Sequence, residues 1–251
     1  MELRGRVALV TGAGHRVGRA LALALASRGM RLAIHYHASE SEARDTVRDA
    51  EAASGGAEAW AVRADLSDGA APERLVDDVT SHFGSLDVLV NSAAIMVRMP
   101  LDDMTPERWD ETFALNLRAP LFCARAAAKV MRRGAVSASG TRGAIVNIAD
   151  LAGLESWPGY IAHGISKAGV IHMTSSLARV LAPDIRVNAI APGAVLLPES
   201  WSADDAARLE RTTPLHRIGS PTDVAQALLY LLDADYVTGE TLVVDGGRHI
   251  R

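Results

Sequence analysis

Short apolar runs alternate with helical patterns along the whole chain. The runs have the length of buried strands, whereas the stretches between them have the length and spacing of helices. Strict alternation of strand and helix predicts a parallel sheet with right-handed crossovers and helices on both faces. The predicted strands are 6–10, 32–36, 57–63, 86–90, 144–148, 186–190 and 241–244. The predicted helices are 17–28, 41–53, 71–83, 106–132, 159–181 and 221–233.

These elements predict an α/β fold. Residues 1–251 are expected to form a single Rossmann-type, doubly wound domain with a seven-stranded parallel sheet. Two segments fall outside the pattern. Segment 133–142 is small and polar and predicts a surface loop. Segment 191–213 contains Pro192, Pro198 and Trp201 and is long enough to form a flap over a site.

The first strand runs into a glycine-rich turn, VTGAGHRVG at residues 10–18. Gly12 and Gly14 let the backbone turn tightly and approach a ligand closely. The following helix begins at this turn, so its free N–H groups and positive dipole end point at an anion. The turn therefore predicts a pyrophosphate site, and a glycine turn that binds nothing is the alternative.

Composition and charge narrow the classes of function. The 251 residues are 49% hydrophobic and 22% charged, which suits a large core. A net charge of −4 gives no footprint for nucleic acid or an anionic membrane, and no apolar stretch is long enough to span a bilayer. The single cysteine, Cys123, excludes an internal disulfide, and the spacing predicts no metal site. We expect a soluble, cytoplasmic protein with Cys123 buried on a helix.

Chemically distinctive residues recur at the carboxyl ends of the predicted strands or on adjoining helices. Because ligands bind beyond these ends in open α/β sheets, the positions predict one binding site. They are Thr11, Gly12, Gly18, Asn91–Ala94, Asn116, Asp150, Lys167, Pro192 and Gly193.

These motifs resemble the short-chain dehydrogenase/reductase family, and in detail its pteridine reductase branch. The family's TGxxxGxG is TGAGHRVG here, with Arg16 at the middle glycine, as in pteridine reductases. Its NNAG is NSAA at 91–94, and the ending DGGRH at 245–249 is similar to that of dihydropterin reductases. The resemblance covers the chain from Arg4 onward and implies a reductase of small molecules that forms a homotetramer or homodimer.

The end of the second strand bears on the choice of cofactor. An acidic residue there would bind a ribose hydroxyl and repel a 2′-phosphate, but the chain reads HYHAS at 35–39. His37 and Ser39 can donate hydrogen bonds to a phosphate, although Ala38 stands where pteridine reductases have arginine. NADP(H) is therefore favoured over NAD(H). His35 is interpreted as no more than a strand end.

The resemblance also implies the cofactor contacts. Gly12, Arg16 and Gly18 would hold the pyrophosphate, and Asp65 would contact the adenine, although an ordinary helix N-cap would look the same. The full set of implied cofactor residues is Thr11, Gly12, His15, Arg16, Val17, Gly18, His37, Ser39, Asp65, Leu66, Asn91, Ala93, Lys167, Pro192 and Gly193.

The implied catalytic residues depart from the family pattern. Its YxxxK is HGISK here, so His163 stands at the tyrosine position, four residues before Lys167. Asp150 stands thirteen residues before His163, where most members have serine and pteridine reductases have aspartate. Tyr160 is close but out of register with the motif. Asn116 would hold a water molecule, or would only kink its helix.

A histidine at this position can supply a proton only as imidazolium, whose unperturbed pKa is about 6.5. The charge of Lys167 disfavours that form, and an ionised Asp150 favours it. Asp150 can equally be the acid that protonates a pterin nitrogen. Alternatively, His163 marks a site that binds cofactor and catalyses nothing.

The substrate is predicted less sharply. Pteridine reductases stack the pterin on an aromatic residue after the NNA-type motif, but residues 95–98 here are IMVR. Met96 or Trp201 would have to supply that wall. We expect a reductase of C=N or C=O bonds with a pterin-like substrate. The alternatives are a 3-oxoacyl-type carbonyl reductase and a non-catalytic cofactor-binding protein.

Overall fold

The computed structural model describes residues 1–137, 140–197 and 202–250. In this part of the chain a parallel sheet of seven strands has the order β3-β2-β1-β4-β5-β6-β7, which confirms the predicted Rossmann-type fold. The strands are β1 Val7–Val10, β2 Arg31–Tyr36, β3 Ala59–Arg63, β4 Val88–Asn91, β5 Gly143–Ile148, β6 Ile185–Pro192 and β7 Thr241–Val244. The helices are α1 Arg16–Ser27, α2 Glu40–Ser54, α3 Ala71–Phe83, α4 Pro106–Phe113, α5 Ala119–Met131, α6 Ile161–Leu181, α7 Ala203–Thr212 and α8 Pro221–Asp233.

The strand order reverses at β1, which pairs with β2 on one side and with β4 on the other. Val10, the last residue of β1, is in register with Ile34 of β2 and Val90 of β4. The crossovers to the two neighbours leave on opposite sides, and a crevice opens beyond the carboxyl ends of the strands. The candidate site residues lie along this crevice.

Alternate residues of each strand pack against different helices. Ala8 and Val10 of β1 point to one face, which α1 and α8 cover, and Val7 and Leu9 point to the other, which α3 and α5 cover. Both faces are therefore apolar, as continuous apolar strands require in a sheet buried on two sides. Cys123 is buried on the face of the sheet that α3 and α5 cover, where burial raises the pKa of its thiol to about 12 and keeps the thiol protonated.

The helical stretch predicted over 106–132 is confirmed, since the chain is helical without a gap from Pro106 to Met131. The sequence did not predict the π-turn at Ala114–Arg118 that joins α4 to α5. Pro120 has no N–H to donate to the carbonyl of Asn116, four residues earlier, and the helix widens at that point. The π-turn carries one of the candidate site residues, Asn116.

The prediction that 191–213 is irregular was wrong in part, because the segment contains α7. Ser202 and Asp205 form a capping box at its start, with Ser202 Oγ accepting from Asp205 N at 3.1 Å. Pro198 and Trp201 lie outside the described residues. In segment 133–142, the described residues before β5 form turns, as predicted. Among the described helices, none is both long and apolar enough to cross a bilayer.

Candidate active site

The glycine turn after β1 is closed by contacts that leave no room for side chains. A Cβ on Gly18 would lie 2.1 Å from the carbonyl oxygen of Gly12. A Cβ on Gly12 would lie 2.9 Å from Cα of Ala93, and Gly12 also has a left-handed φ of +66°. Backbone alone therefore forms the floor of the turn, as close approach to a phosphate requires.

Side chains beneath the turn join it to β4. Thr11 Oγ1 accepts hydrogen bonds from the backbone N–H groups of Ser92, at 2.9 Å, and Ala93, at 3.1 Å. Asn91 is buried and donates to Asn147 Oδ1 at 2.9 Å and to the carbonyl of Pro120 at 3.2 Å. Thr11 and Asn91 thus lie under the predicted cofactor site and hold its walls in place.

A shallow cavity of about 360 Å³ extends from the glycine turn across the ends of β2 and β3. We call it the groove. It gathers most of the predicted cofactor residues into one continuous surface. Those that line it are Gly12, His15, Arg16, Val17, Gly18, His37, Ser39, Asp65, Leu66 and Ala93.

At the far end of the groove, His37 and Asp65 lie side by side. Their Nε2 and Oδ2 atoms are 3.9 Å apart and both side chains are exposed. Asp65 also accepts from the hydroxyl of Ser67 at 2.6 Å and from its N–H at 3.0 Å, and these bonds lower the pKa of Asp65. Since α3 begins at Ala71, Asp65 is not its N-cap, and its carboxylate remains on the groove wall.

A second cavity of about 500 Å³ opens beyond the ends of β4, β5 and β6, and we call it the cleft. It adjoins the groove at Arg16 and Val17, which line both. The predicted residues Asp150, His163, Lys167, Pro192 and Gly193 all line the cleft. The sequence predictions for cofactor and catalysis therefore converge on two adjoining cavities.

His163 and Asp150 face one another in the cleft. His163 Nε2 lies 3.6 Å from Asp150 Oδ2, and the His163 side chain is only 3% exposed. Asp150 Oδ1 accepts from the N–H of Ala152 at 2.7 Å, which fixes the carboxylate at the start of a short 3₁₀ turn. The pair has the distance and burial of an interacting acid and base.

The other ring nitrogen of His163 is held by backbone. Its Nδ1 lies 3.1 Å from the carbonyl oxygen of Ile95, which can only accept, so Nδ1 carries a hydrogen. Nε2 is consequently the ring nitrogen that faces Asp150. This buried Nε2 has no hydrogen-bond partner among the described residues.

Asn116 lies behind the cleft wall and orders the same segment. Its Oδ1 accepts from the N–H of Ile95 and its Nδ2 donates to the carbonyl of Ile95, both at 2.9 Å. Nδ2 also donates to Ser166 Oγ at 3.1 Å. These bonds fix Ile95, and through its carbonyl they fix the ring of His163.

Lys167 lies in the cleft wall on the same face of α6 as His163. Its Nζ donates to the carbonyl of Ile148 at 2.8 Å. Burial lowers the pKa of Lys167 to about 8, and the charge of Asp150 opposes that shift. Lys167 therefore carries its charge at neutral pH and loses it in mildly alkaline solution.

Residues 12–249 match the family described as enoyl-(acyl carrier protein) reductase, whose members share this fold. A dehydrogenase/reductase from Sinorhizobium meliloti superimposes with a TM-score of 0.89 at 31% identity, covering 98% of this chain and 97% of its own. The chain belongs to the short-chain dehydrogenase/reductase family.

Relatives of known name agree with this membership. The 3-oxoacyl-(acyl-carrier-protein) reductase FabG of Staphylococcus aureus is 36% identical over 248 residues, covering 97% of this chain and 98% of its own. The 3beta-hydroxysteroid dehydrogenase 1 of Eggerthella lenta is 37% identical over 254 residues, covering 98% of this chain and 94% of its own. This short-chain dehydrogenase/reductase is thus similar along its length to members with different substrates.

Arg16 is unusual in its backbone as well as its position. It has a φ of +54°, in the left-handed region where glycine is favoured. A non-glycine residue there costs about 1 kcal/mol or more. In this strained conformation the guanidinium of Arg16 lies at the junction of groove and cleft. A role of the side chain, rather than a requirement of the turn, therefore explains why this position is an arginine.

Two residues to which the sequence analysis gave no cofactor role lie in the groove wall or beside it. His35 is buried, and its Nδ1 accepts from the N–H of Gly12 at 3.1 Å while its Nε2 lies 3.1 Å from the carbonyl oxygen of Ala64. Burial lowers the pKa of His35 to about 4, so it is neutral at physiological pH. Its interpretation as a mere strand end missed this link between the glycine turn and β3.

The second is Arg63, the last residue of β3. Its Nε donates to the carbonyl of His37 at 3.1 Å, so an exposed arginine side chain lies beside His37. The register pairs Arg63 with Tyr36, one residue before His37. Only knowledge of that register would have placed Arg63 next to the HYHAS segment.

The cleft contains aromatic residues that the sequence did not assign to it. Trp157 and Tyr160 both line it, with ring centroids 6.4 Å apart in an edge-to-face arrangement. Met96 lines it too and is half exposed. Trp201, the other predicted wall, lies outside the described residues. Among the described side chains, no group of three or more His, Cys, Asp or Glu could hold a metal ion.

Proposed function

We propose that this chain is an NADPH-dependent reductase of C=N or C=O bonds, with a pterin-like substrate, in which Asp150 and His163 manage the proton. The observation that carries the proposal is the buried, unpartnered Nε2 of His163, which faces Asp150 across 3.6 Å inside the cleft. A buried polar atom without a partner is rare in proteins unless it serves a ligand or a reaction.

The groove and the adjoining part of the cleft together fit a dinucleotide. Backbone N–H groups around Gly12 and Gly18 would hold the pyrophosphate, and Lys167, Pro192 and Gly193 would hold the nicotinamide half. When bound, NADPH supplies a hydride to the substrate. The lack of side chains over the glycine turn, where a Cβ would overlap Gly12, supports this assignment.

The preference for NADPH rests on the cationic end of the groove. The exposed guanidinium of Arg63 lies next to the His37 backbone and supplies the planar donor that Ala38 lacks. His37 and Ser39 would contribute further donors to a 2′-phosphate. Asp65 opposes a phosphate, but its carboxylate faces His37, 3.9 Å away, and Ser67.

The proton route follows from the hydrogen bonds of His163. With Nδ1 held by Ile95, protonation at Nε2 gives an imidazolium whose N–H points to Asp150 and the cleft. Asp150 stabilises that cation, accepts its proton and, as the partly exposed member of the pair, passes it to the nitrogen or oxygen that gains negative charge. Bulk water reaching Asp150, which is 24% exposed, restores the proton.

A planar substrate is favoured by the cleft walls. Trp157 and Tyr160 offer aromatic surface on one side, and Met96 offers a polarisable apolar surface. Aspartate at 150, which is held by Ala152 through Oδ1 and is 24% exposed, agrees with the pterin-like substrate. These residues suit a flat heterocycle better than a flexible acyl chain.

A carbonyl reductase of the 3-oxoacyl type is the second candidate. It is favoured by the 36% identity to FabG of Staphylococcus aureus over nearly the whole chain. His163 at the tyrosine position counts against a mechanism identical to that family's usual one. A non-catalytic cofactor-binding protein is a third possibility.

The test is NADPH oxidation by the purified protein with dihydrobiopterin or ethyl acetoacetate as acceptor, with NADH in place of NADPH as control. We expect turnover with the pterin that falls as pH rises through about 8, because Lys167 loses its charge there. Turnover with the ketone ester alone would favour the second candidate. NADPH binding without turnover of either acceptor would favour the third.

We also propose that residues 1–251 form a single domain and that copies associate as a dimer or tetramer. The coverage of 98% of the chain by one superimposed structure supports the first. Exposed apolar side chains on α5 and α6, Leu121, Ile165 and Val180, support the second. Light scattering of the protein as it elutes from a size-exclusion column measures the mass of the assembly directly.

A further inference from the structure

The segment after β7 forms a tight turn that is built around Asp245. Gly246 and Gly247 have left-handed φ values of +68° and +87°, which reverse the chain immediately after the strand. Asp245 Oδ1 accepts from the N–H of Gly247 at 2.8 Å, and Oδ2 accepts from the N–H of His249 at 2.7 Å. The turn fixes the residue between them, Arg248.

The turn is further fixed by charge. His249 Nδ1 lies 2.8 Å from Asp245 Oδ2, and the Asp245 side chain is only 3% exposed. Burial raises the pKa of Asp245, but hydrogen bonds from His249 and Gly247 outweigh it, and the pKa lies below its usual range. The described donors to the Asp245 carboxylate are Gly247 and His249, and the Arg248 side chain is not among them.

Arg248 lines the cleft together with Asp150, His163 and Lys167. Its Nε is buried and has no hydrogen-bond partner among the described residues. No ion pair joins its guanidinium to any described carboxylate. The terminal nitrogens of a guanidinium that lines a cavity without a carboxylate partner can donate to an anionic group of a ligand.

The charges of the cleft indicate what this acceptor is. Lys167 lies near Asp150, and Arg16 stands at the groove, where the cofactor phosphates would lie. Arg248 is a cation of the cleft that pairs with no described carboxylate. A carboxylate, with a single negative charge and a planar pair of oxygens, matches one guanidinium in charge and shape.

We propose that Arg248 binds a carboxylate of the substrate, so that the protein acts on a carboxylate-bearing compound rather than on its neutral analogue. This inference rests on the proposed reductase function. It adds a substrate class that applies to either reaction: a pterin conjugated to an amino acid, or an oxo acid.

The test compares two pairs of acceptors that differ in the carboxylate. Dihydrofolate is compared with dihydrobiopterin, and acetoacetate with ethyl acetoacetate, using NADPH and the full chain. We expect a lower KM for the carboxylate-bearing member of whichever pair turns over. In Arg248→Gln its KM should rise by roughly 10- to 100-fold more than that of the neutral member.

Two variants complete the design. Arg248→Lys retains the charge without the planar fork and should recover part of the loss. Arg133→Gln, which removes an exposed arginine at the opposite edge of the sheet, is the matched control for the loss of one charge.

The outcomes separate the two proposals. Turnover with equal KM within both pairs, and equal effects of Arg248→Gln on both members, would overturn the role of Arg248 and leave the reductase intact. If no acceptor turns over, binding of dihydrofolate and acetoacetate to the NADPH complex decides. If that binding weakens in Arg248→Gln, the carboxylate site is retained without the reductase function. If neither compound binds, or if binding is the same in Arg248→Gln, the inference is overturned.

Discussion

The groove and the cleft lie side by side at the same edge of the sheet, yet they are built differently. The groove floor is backbone, with Gly12 and Gly18 so close that a single methyl group would overlap a carbonyl oxygen. The active surface of the cleft is side chains that come from distant elements. Asp150 follows β5, His163 and Lys167 belong to α6, and Arg248 follows β7.

The difference bears on how each cavity tolerates change. A new side chain in the groove floor displaces the turn itself, whereas one side chain in the cleft can replace another without moving a strand. Histidine at position 163 fits this view, since its ring is held by Ile95 and the surrounding fold is that of the family. The cleft is where members of one fold acquire different chemistry.

The largest expected effect comes from substituting His163, and it tests whether the groove and the cleft tolerate change independently. His163→Phe removes the proton donor and should lower kcat by roughly 10²- to 10⁴-fold. Because His163 lines only the cleft, which would hold just the nicotinamide half through Lys167, Pro192 and Gly193, the Kd for NADPH should change by less than about threefold, as read by fluorescence titration. A large loss of NADPH affinity in this variant would show that the two cavities are not independent.

A substitution in the groove floor should have the reverse pattern. Gly18→Ala places a methyl group 2.1 Å from the Gly12 carbonyl oxygen and should weaken NADPH binding by on the order of 100-fold, measured by the same titration. Gly69→Ala is the matched control, because a Cβ there meets nothing within 4 Å. Equal binding by the two variants would contradict a cofactor site at the glycine turn.

The buried His35 predicts a pH dependence of stability. Its pKa of about 4 in the folded state lies below the usual 6.5, so the unfolded chain takes up the proton first as pH falls. Stability should therefore fall between pH 6.5 and 4, by at most about 3 kcal/mol from this residue. Urea unfolding at several pH values measures it.

The comparison variant for His35 is His35→Asn, which retains an acceptor and a donor without titrating. Its free energy of unfolding should depend less on pH over the same interval than that of the unchanged chain. Parallel curves for the two proteins would mean that His35 is not the group responsible.

The smallest expected effect concerns the exposed end of the groove. Arg63→Gln should raise the KM for NADPH by about 3- to 10-fold and leave the KM for NADH unaltered, since only the former has a 2′-phosphate. Arg48→Gln, on the exposed surface of α2, serves as control. A proportional change in both KM values would assign Arg63 to the fold rather than to cofactor choice.

The sequence predicted the sheet well because a strand buried on both faces must be continuously apolar, and these runs are short and regular. It did not predict the π-turn at Ala114–Arg118, because a π-turn within a helical pattern depends on the hydrogen bonds that Asn116 makes in the folded chain. The helix α7 was missed although its capping box, Ser202 and Asp205, is visible in the sequence.

The candidate site divides in the same way. The groove residues were predicted because most lie in continuous stretches after β1 and β2. Arg63 and Arg248 were missed because their place depends on strand register and on a turn at the end of β7. Trp157 was missed since it is remote from the NSAA motif in sequence and reaches the cleft only through the fold.

The carboxamide of Asn116 makes the same pair of bonds to Ile95 that a neighbouring β-strand residue would make. The Asn116 side chain thus pairs with the backbone of Ile95 in place of a strand, at a point where the chain has left the sheet. The extra residue of the π-turn brings this side chain within hydrogen-bonding distance of Ile95. Deleting one residue from Ala114–Arg118 would rotate the rest of that helix by about 100° about its axis. The length of that turn is thereby linked to the orientation of a ring on α6, and a change in residue count there would misalign His163 without altering any residue of the cleft.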